Sequence, residues 1–313
     1  MTATAAPPHR RLGYRLLGPA FDYLLHLRPA EWPIMAAHTA LGYLLAVGLD
    51  GARHGEALGP ALLGLVAWVL CLNGGTLAIN SAFDRDEGDI GYLKAPPPVP
   101  RHLAAFALLL MAAGQLLAFR LPPAYRWAYL ACFLLSVVYS VPPFRFKAVA
   151  GVDWVINMVG FGTLTPYAGY AATGRPLEPA HLWVLLAFCP LFAALYPLTQ
   201  LYQFEEDRRR GDRTLALILG MRPSLLVAVG AVGVAFGLFV VGGVVAGWGG
   251  AGGGLLRWGG TGSGARGVGW VLLPWLRNHP RMTPDQHQRG MYKALKAWAV
   301  TDVVVILAWG IYT

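Results

Sequence analysis

The stretch "LGPALLGLVAWVLCLNGGTLAINSAFDRDEGD", Leu58 to Asp89, decides how the rest of the chain is read. Residues 58–82 form an apolar run long enough to cross a bilayer as a helix. Directly after it, Asp84, Asp86, Glu87 and Asp89 fall within six positions. The chain has only 16 Asp and Glu among 313 residues, so this one helix end holds a quarter of them. Hydrophobic residues make up 56% of the chain and charged residues 13%. Soluble domains are about a quarter charged. The composition therefore excludes an ordinary soluble domain and points to an integral membrane protein.

Similar apolar runs lie at 31–49, 102–120, 122–141, 151–173, 181–201, 222–247, 265–278 and 292–312. With 58–82 they predict an all-α, polytopic transmembrane helical bundle of about nine helices, its N-terminus cytosolic. The run at 265–278 is short and follows "WGGAGGGLLRWGGTGSGARGVGW", residues 248–270, which reads as a flexible connection. Charge fixes the orientation. On the inside fall Arg10, Arg11, Arg15, Arg28, Lys94, Arg101, Arg145, Lys147 and Arg208–Arg210; on the outside fall only Arg53, Arg120, Arg126, Arg175, Arg257 and Arg266. This asymmetry obeys the positive-inside rule, so topology explains the net charge of +9 without any nucleic-acid partner. Removing the eighth helix would move Arg277, Arg281, Arg289, Lys293 and Lys296 outside, which favours keeping it. Residues 1–27 read as a basic cytosolic tail and not a removed signal peptide, with 28–313 as a single transmembrane domain. Cys71, Cys132 and Cys189 lie in separate apolar runs and read as small core residues.

A second acidic cluster lies in "TQLYQFEEDRRRGDRTLALILG", Thr199 to Gly220, as Glu205, Glu206, Asp207 and Asp212. Both clusters follow even-numbered helices, so both emerge on the inside face. Two such clusters at one surface repel unless cations sit between them. Mg2+ prefers oxygen ligands and is commonly shared between carboxylates and substrate phosphates. The nearby Arg and Lys suit Mg2+–diphosphate better than a bare metal store. Asn80 and Asp84 are four apart and share a helix face, with Asn73 two turns back. Gln200, Gln203 and Asp207 are expected to form a matching stripe, which Glu206 can join. A polar Asn inside a membrane helix needs a partner.

A third segment, "YSVPPFRFK" from Tyr139 to Lys147, separates the fourth and fifth runs. With Asn80-x-x-x-Asp84 before it and Asp207-Arg208, Gly211 and Arg213-Thr214-Leu215 after it, the chain resembles the UbiA superfamily of intramembrane prenyltransferases, the family of 4-hydroxybenzoate polyprenyltransferase. The resemblance runs from "RPAEWP" at Arg28–Pro33 to the last helix, as a divergent branch. Where the family's first motif has its last acid, this chain has Gly88, with Asp89 one residue later and Asp86 as an extra candidate. The two earlier acids of the second motif are Gln200 and Gln203 here. A Gln carbonyl offers a ligand oxygen without charge, and Glu205 or Glu206 supplies the missing charge.

The resemblance implies prenyl transfer. A prenyl diphosphate is held with Mg2+ between the acidic motifs, and its allylic cation is attacked by a lipophilic acceptor. It implies catalytic roles for Asp84, Asp207 and Tyr139, and metal ligation by Asp84, Asp86, Asp89, Glu206 and Asp207. It implies substrate binding by Asn80, Arg145, Lys147, Gln203, Arg85 and Arg213. The site is expected to face the cytosol from a bacterial or archaeal cell membrane. Plain counterparts stand beside these roles: Arg145 and Lys147 as interfacial anchors, and Tyr139 as a belt aromatic. His38 lines an acceptor pocket or, favoured, is a satisfied bundle histidine; Asn157 is equally open. Asp153 orients the Lys147 loop or, favoured, caps the fifth helix. Asp302 is expected to pair with Lys293 or Lys296. Pro96–Pro98 with Pro100 form a stiff lid or a helix-stopping connector. Alternative functions are a terpene cyclase, a carotenoid-prenylating enzyme, or a non-enzymatic transporter or structural subunit. The last explains the helices but not the converging acids.

Overall fold

The computed structural model describes residues 8–84, 90, 93–248 and 254–310. Among them every regular element is helical. The long segments are α1 (Trp32–Arg53), α2 (Leu58–Asp84), α3 (Leu103–Ala118), α4 (Pro123–Ser140), α5 (152–172), α6 (Pro179–Gln200), α7 (Met221–Val245), α8 (Gly254–Asn278) and α9 (Pro284–Gly310). By length and composition, Ala20–Arg53, Leu58–Asp84, Pro179–Gln200 and Met221–Val245 are long and apolar enough to cross a bilayer. Leu109, Leu116, Trp127, Leu134, Val234 and Trp270 point outward, each more than half exposed. Lipid covers such a surface, and helices leave no unsatisfied backbone within it. The chain is an integral membrane protein.

The glycine-rich stretch departs from its expected reading. From Gly254 onward it is not a flexible connection but the first half of α8, which is therefore longer than the expected 265–278. Its residues 249–253 lie outside the described residues. In lipid the backbone has no water to bond, so helix forms even where side chains favour it little. The glycines also permit close packing: a Cβ on Gly264 would come within 3.1 Å of the Phe236 ring on α7. An even closer crossing joins α1 to α5. A Cβ on Gly42 would fall 1.7 Å from the Pro166 carbonyl oxygen, and one on Gly169 would fall 1.8 Å from that of Thr39. The two glycines are reciprocal, each making room for the other helix's backbone.

Two apolar cores form on either side of this crossing. One joins α2, α3 and α4 with part of α5; the other joins α1 with α6, α7, α8 and α9. Both α2 and α5 contain a stretch of wider, π-helical winding, at Val66–Asn73 and Met158–Leu164. Residues 8–27, expected as a tail, are helical over Arg11–Leu17 and Ala20–His26. They grip the segment after α2: Arg10 is buried and donates to the carbonyls of Lys94 and Ala95. Tyr14 donates to Asp22 at 2.7 Å. Burial and that carboxylate push the Tyr14 phenol up to about 12. The free thiols Cys71 and Cys132 are buried and Cys189 half-buried, in line with their reading as core residues.

Candidate active site

At the seam between the two cores lies a cavity of about 350 Å³. Its polar wall is drawn from the loop end of the bundle, where α2 stops and where the 141–151 and 201–214 segments run. Its apolar wall comes from farther along the helices: Met35 of α1, Phe161 of α5, Phe192 and Leu195 of α6, and Trp298 of α9.

Asn80 and Asp84 both line the cavity, as their four-residue spacing requires. The Asp84 side chain is buried and ion-paired with Lys147, and Arg145 Nη2 lies 3.9 Å from the same carboxylate. Lys147 also donates to Asn80 Oδ1 at 3.4 Å. Arg145 has a left-handed backbone, φ 39°, a conformation that costs a residue with a β-carbon about 1–3 kcal/mol and recurs at functional sites. From it Nη1 donates to Asp212 Oδ1 at 2.9 Å. One arginine thus stands between Asp84 of the first acidic motif and Asp212 of the second. The expected repulsion is relieved by cations between the motifs.

The second motif does not form one helical stripe. α6 ends at Gln200, the chain leaves the helix over 201–203, and a short helix Phe204–Arg210 carries Asp207. The break occurs where the chain turns back along the end of the bundle. Gln200, Gln203 and Asp207 still line one cavity. Asp207 is buried, and its Oδ2 accepts from Thr214 Oγ1 at 3.2 Å. Gln200 uses both ends of its amide: Nε2 donates to Asp153 Oδ2 at 3.0 Å, and Oε1 accepts from the Ala216 N–H at 3.2 Å. Asp153 does more than cap the fifth helix. It accepts from the Gly151 N–H at the helix start at 2.9 Å and from the Leu215 N–H at 3.4 Å. It therefore ties the end of the Lys147 loop to the segment after Asp207.

This geometry explains the amide at position 200, since a carboxylate there would face Asp153. Gln200→Glu is expected to destabilise the protein by about 1–3 kcal/mol, because it replaces a buried donor by a second acceptor. A melting temperature equal to wild type in detergent would contradict this account.

Tyr139 and Tyr196 face each other across the cavity wall, hydroxyls 2.8 Å apart. Asn157 lines the wall and donates to the Asp153 carbonyl at 2.8 Å. His38 is fully buried behind Trp298, with Nδ1 3.3 Å from Asp302 Oδ2 and Nε2 3.3 Å from the Gly162 carbonyl oxygen. Asp302 therefore pairs with His38 and not with Lys293 or Lys296. Those lysines lie nine and six residues earlier, roughly half and one-third of a turn round the helix from it. The Arg213 side chain is exposed and does not line the cavity; its backbone bridges to Val149. Arg85, Asp86 and Asp89 lie outside the described residues, as does the side chain of Glu206.

Tyr196, Asp212 and Arg28 line the cavity and were missed from the sequence. Asp212 belongs to the second acidic cluster but has no place in the motif spacing. Arg28 opens "RPAEWP"; it is buried, with Nη2 3.3 Å from Ser81 Oγ and Nη1 3.7 Å from Glu31. Nothing short of the fold brings it to Asn80.

Among the described residues, no three His, Cys, Asp or Glu cluster as a closed metal cage. Mg2+ needs none, because one or two carboxylates plus substrate phosphates commonly complete its shell. The buried carboxylates of Asp84 and Asp207, beside the Asn80 amide, are a donor set of that kind.

Residues 35–287 match the model of the UbiA prenyltransferase family. A lycopene elongase/hydratase from Halobacterium salinarum is 30% identical over 220 residues, covering 67% of this chain and 76% of that protein. A digeranylgeranylglyceryl phosphate synthase from Natronomonas pharaonis is 30% identical over 214 residues, covering 67% and 73%. The solved structure of a UbiA homolog from Archaeoglobus fulgidus bound to GPP and Mg2+ has a TM-score of 0.62 to this chain at 18% identity, covering 91% of this chain and 99% of that one. That likeness is one of fold.

Proposed function

The chain belongs to the UbiA prenyltransferase family and is an intramembrane prenyltransferase, and we propose that it uses Mg2+ to move an isoprenoid chain from a prenyl diphosphate to a lipophilic acceptor at the cytosolic end of its cavity. One observation carries this reading. Asp84 and Asp207, far apart in sequence, line one cavity with Lys147, beside Arg145 and in front of apolar walls.

Asp84 and Asp207 would hold the metal, with Asn80 as a neutral ligand and Asp86, Asp89 and Glu206 as further candidates. Mg2+ bound there supplies charge stabilisation to the diphosphate oxygens as the C–O bond breaks. Lys147 and Arg145 bind the diphosphate and remain positive as its charge grows. Each already holds a carboxylate, so an arriving diphosphate takes over cations that are fixed in place. Gln203 lies on the same wall as a neutral donor. The rings of Tyr139 and Tyr196 stand where polar and apolar walls meet and stabilise an allylic cation through their faces. Phe161, Phe192, Leu195 and Trp298 exclude water from the isoprenoid.

The relatives named lycopene elongase/hydratase favour a more specific second reading, in which the acceptor is the end of a polyene. Both readings are tested by giving the purified protein C10, C15 and C20 prenyl diphosphates, with and without Mg2+, together with phenol, alcohol or polyene acceptors. Mg2+-dependent diphosphate release with a prenylated acceptor in the lipid extract is expected. A cyclic hydrocarbon would identify a cyclase. No release with any acceptor, together with no diphosphate binding, would overturn the reading.

A further inference from the structure

A second cavity of about 60 Å³ adjoins the first and shares Met35, Tyr139, Asn157 and Phe161 with it. The two π-helical stretches build much of its wall: Leu72 and Asn73 end the one in α2, and Gly160 and Phe161 belong to the one in α5. Wide turns of this kind recur at functional sites because they re-aim side chains. Asn73 is 4% exposed, lines this recess and not the main cavity, and its Nδ2 has no hydrogen-bond partner. A buried donor left unbonded is unfavourable.

Across the same recess, Thr76 Oγ1 and Ser136 Oγ lie 2.7 Å apart. Each also reaches a backbone carbonyl one turn back, Thr76 to Leu72 and Ser136 to Cys132, both at 2.8 Å. Three contacts share two hydroxyl protons, so the pair retains acceptor capacity for a further proton. Among the described residues, none that lines the recess is charged. A carbonyl would satisfy Asn73 alone. A hydroxyl, which both accepts and donates, satisfies Asn73 and the hydroxyl pair together. The volume is well above the roughly 10–15 Å³ that one water requires.

We propose that this recess binds one neutral hydroxyl group, of the acceptor or of a water, and presents it to the carbon that loses diphosphate. The presentation step rests on the prenyl-transfer reading; the binding step does not. The hydroxyl oxygen gives its lone pair to the allylic carbon, forming a C–O bond as the bond to diphosphate breaks. The hydroxyl proton leaves with the diphosphate. Water yields a prenyl alcohol, and an alcohol acceptor yields an ether.

Binding is tested with the full chain in lipid nanodiscs, using farnesol against farnesene, a hydrocarbon of equal length, with empty nanodiscs as control. Wild type is expected to bind farnesol about tenfold more tightly than farnesene. Asn73→Leu brings the ratio near one, and Ser136→Ala lowers it several-fold, with farnesene binding unchanged as the sign of an intact fold. Should Asn73→Leu bind neither, the Ser136→Ala ratio decides. Equal binding in wild type, or a ratio that neither variant alters, overturns the proposal. Presentation is tested with geranylgeranyl diphosphate and Mg2+ in ¹⁸O-water, with and without a long-chain alcohol. Labelled prenyl alcohol that falls at least tenfold in Asn73→Leu assigns the site to water. Unlabelled prenyl ether lost in that variant assigns it to the acceptor. Yields of both unchanged overturn the presentation step. A wild type that releases no diphosphate removes the prenyl-transfer reading, while the farnesol ratio still decides the recess.

Discussion

Asp84→Asn is expected to lower Mg2+-dependent diphosphate release by about a thousandfold or more. The substitution keeps the shape of the side chain and removes one negative charge. In the site that charge is the buried anionic partner of Lys147, and in the function proposed above it is half of the carboxylate pair that would hold the metal. Losing one preorganised charge-stabilising group from a transition state costs about 10²–10³-fold, and weaker metal binding adds to that. The loss should therefore shrink, without vanishing, as Mg2+ is raised. A variant within threefold of wild type at low Mg2+ would remove Asp84 from the mechanism.

Lys147→Met should lower diphosphate release by about 10²–10³-fold, chiefly in kcat. In the function proposed above the ammonium faces a charge that grows as the C–O bond breaks, and so acts more on the transition state than on the bound substrate. Methionine keeps much of the apolar stem and removes the charge. An effect confined to KM would make Lys147 a binding residue only. The double variant Asp84→Asn with Lys147→Met tests their contact. Residues in direct contact are not additive, so the double variant should lose less than the product of the two single losses. Full multiplicativity would mean that the two side chains act independently, against the ion pair described here.

Much of this site was legible in the chain because charge is scarce in it. In a protein with 13% charged residues, acids gathered at helix ends stand out, and Asn80, Asp84 and Asp207 do line one cavity. The Lys147 loop was legible for the same reason. Other features depend on contacts between distant segments. Gln200 looked like a substituted metal ligand, and only the fold shows Asp153 opposite it. Asp302 looked like an interfacial partner of nearby lysines until α9 packed it against His38 of α1. The glycine-rich stretch misled for a different reason. Glycine content predicts flexibility in water, whereas α8 forms where an unpaired backbone is far more costly.

The π-helical winding of Val66–Asn73 gives the chain a rotational phase as well as a composition. The wide turn takes up about one residue more than an ordinary helical turn does. Were the same residues to wind as an ordinary helix, everything beyond them would turn by about 100° and shift by about 1.5 Å relative to the start of α2. Asn80 and Asp84 would swing off the wall that faces Lys147, although no motif residue had changed. Two chains with identical motifs can therefore differ in whether those motifs converge. The count of residues between Trp68 and Asn80 belongs to the site as much as the acids do.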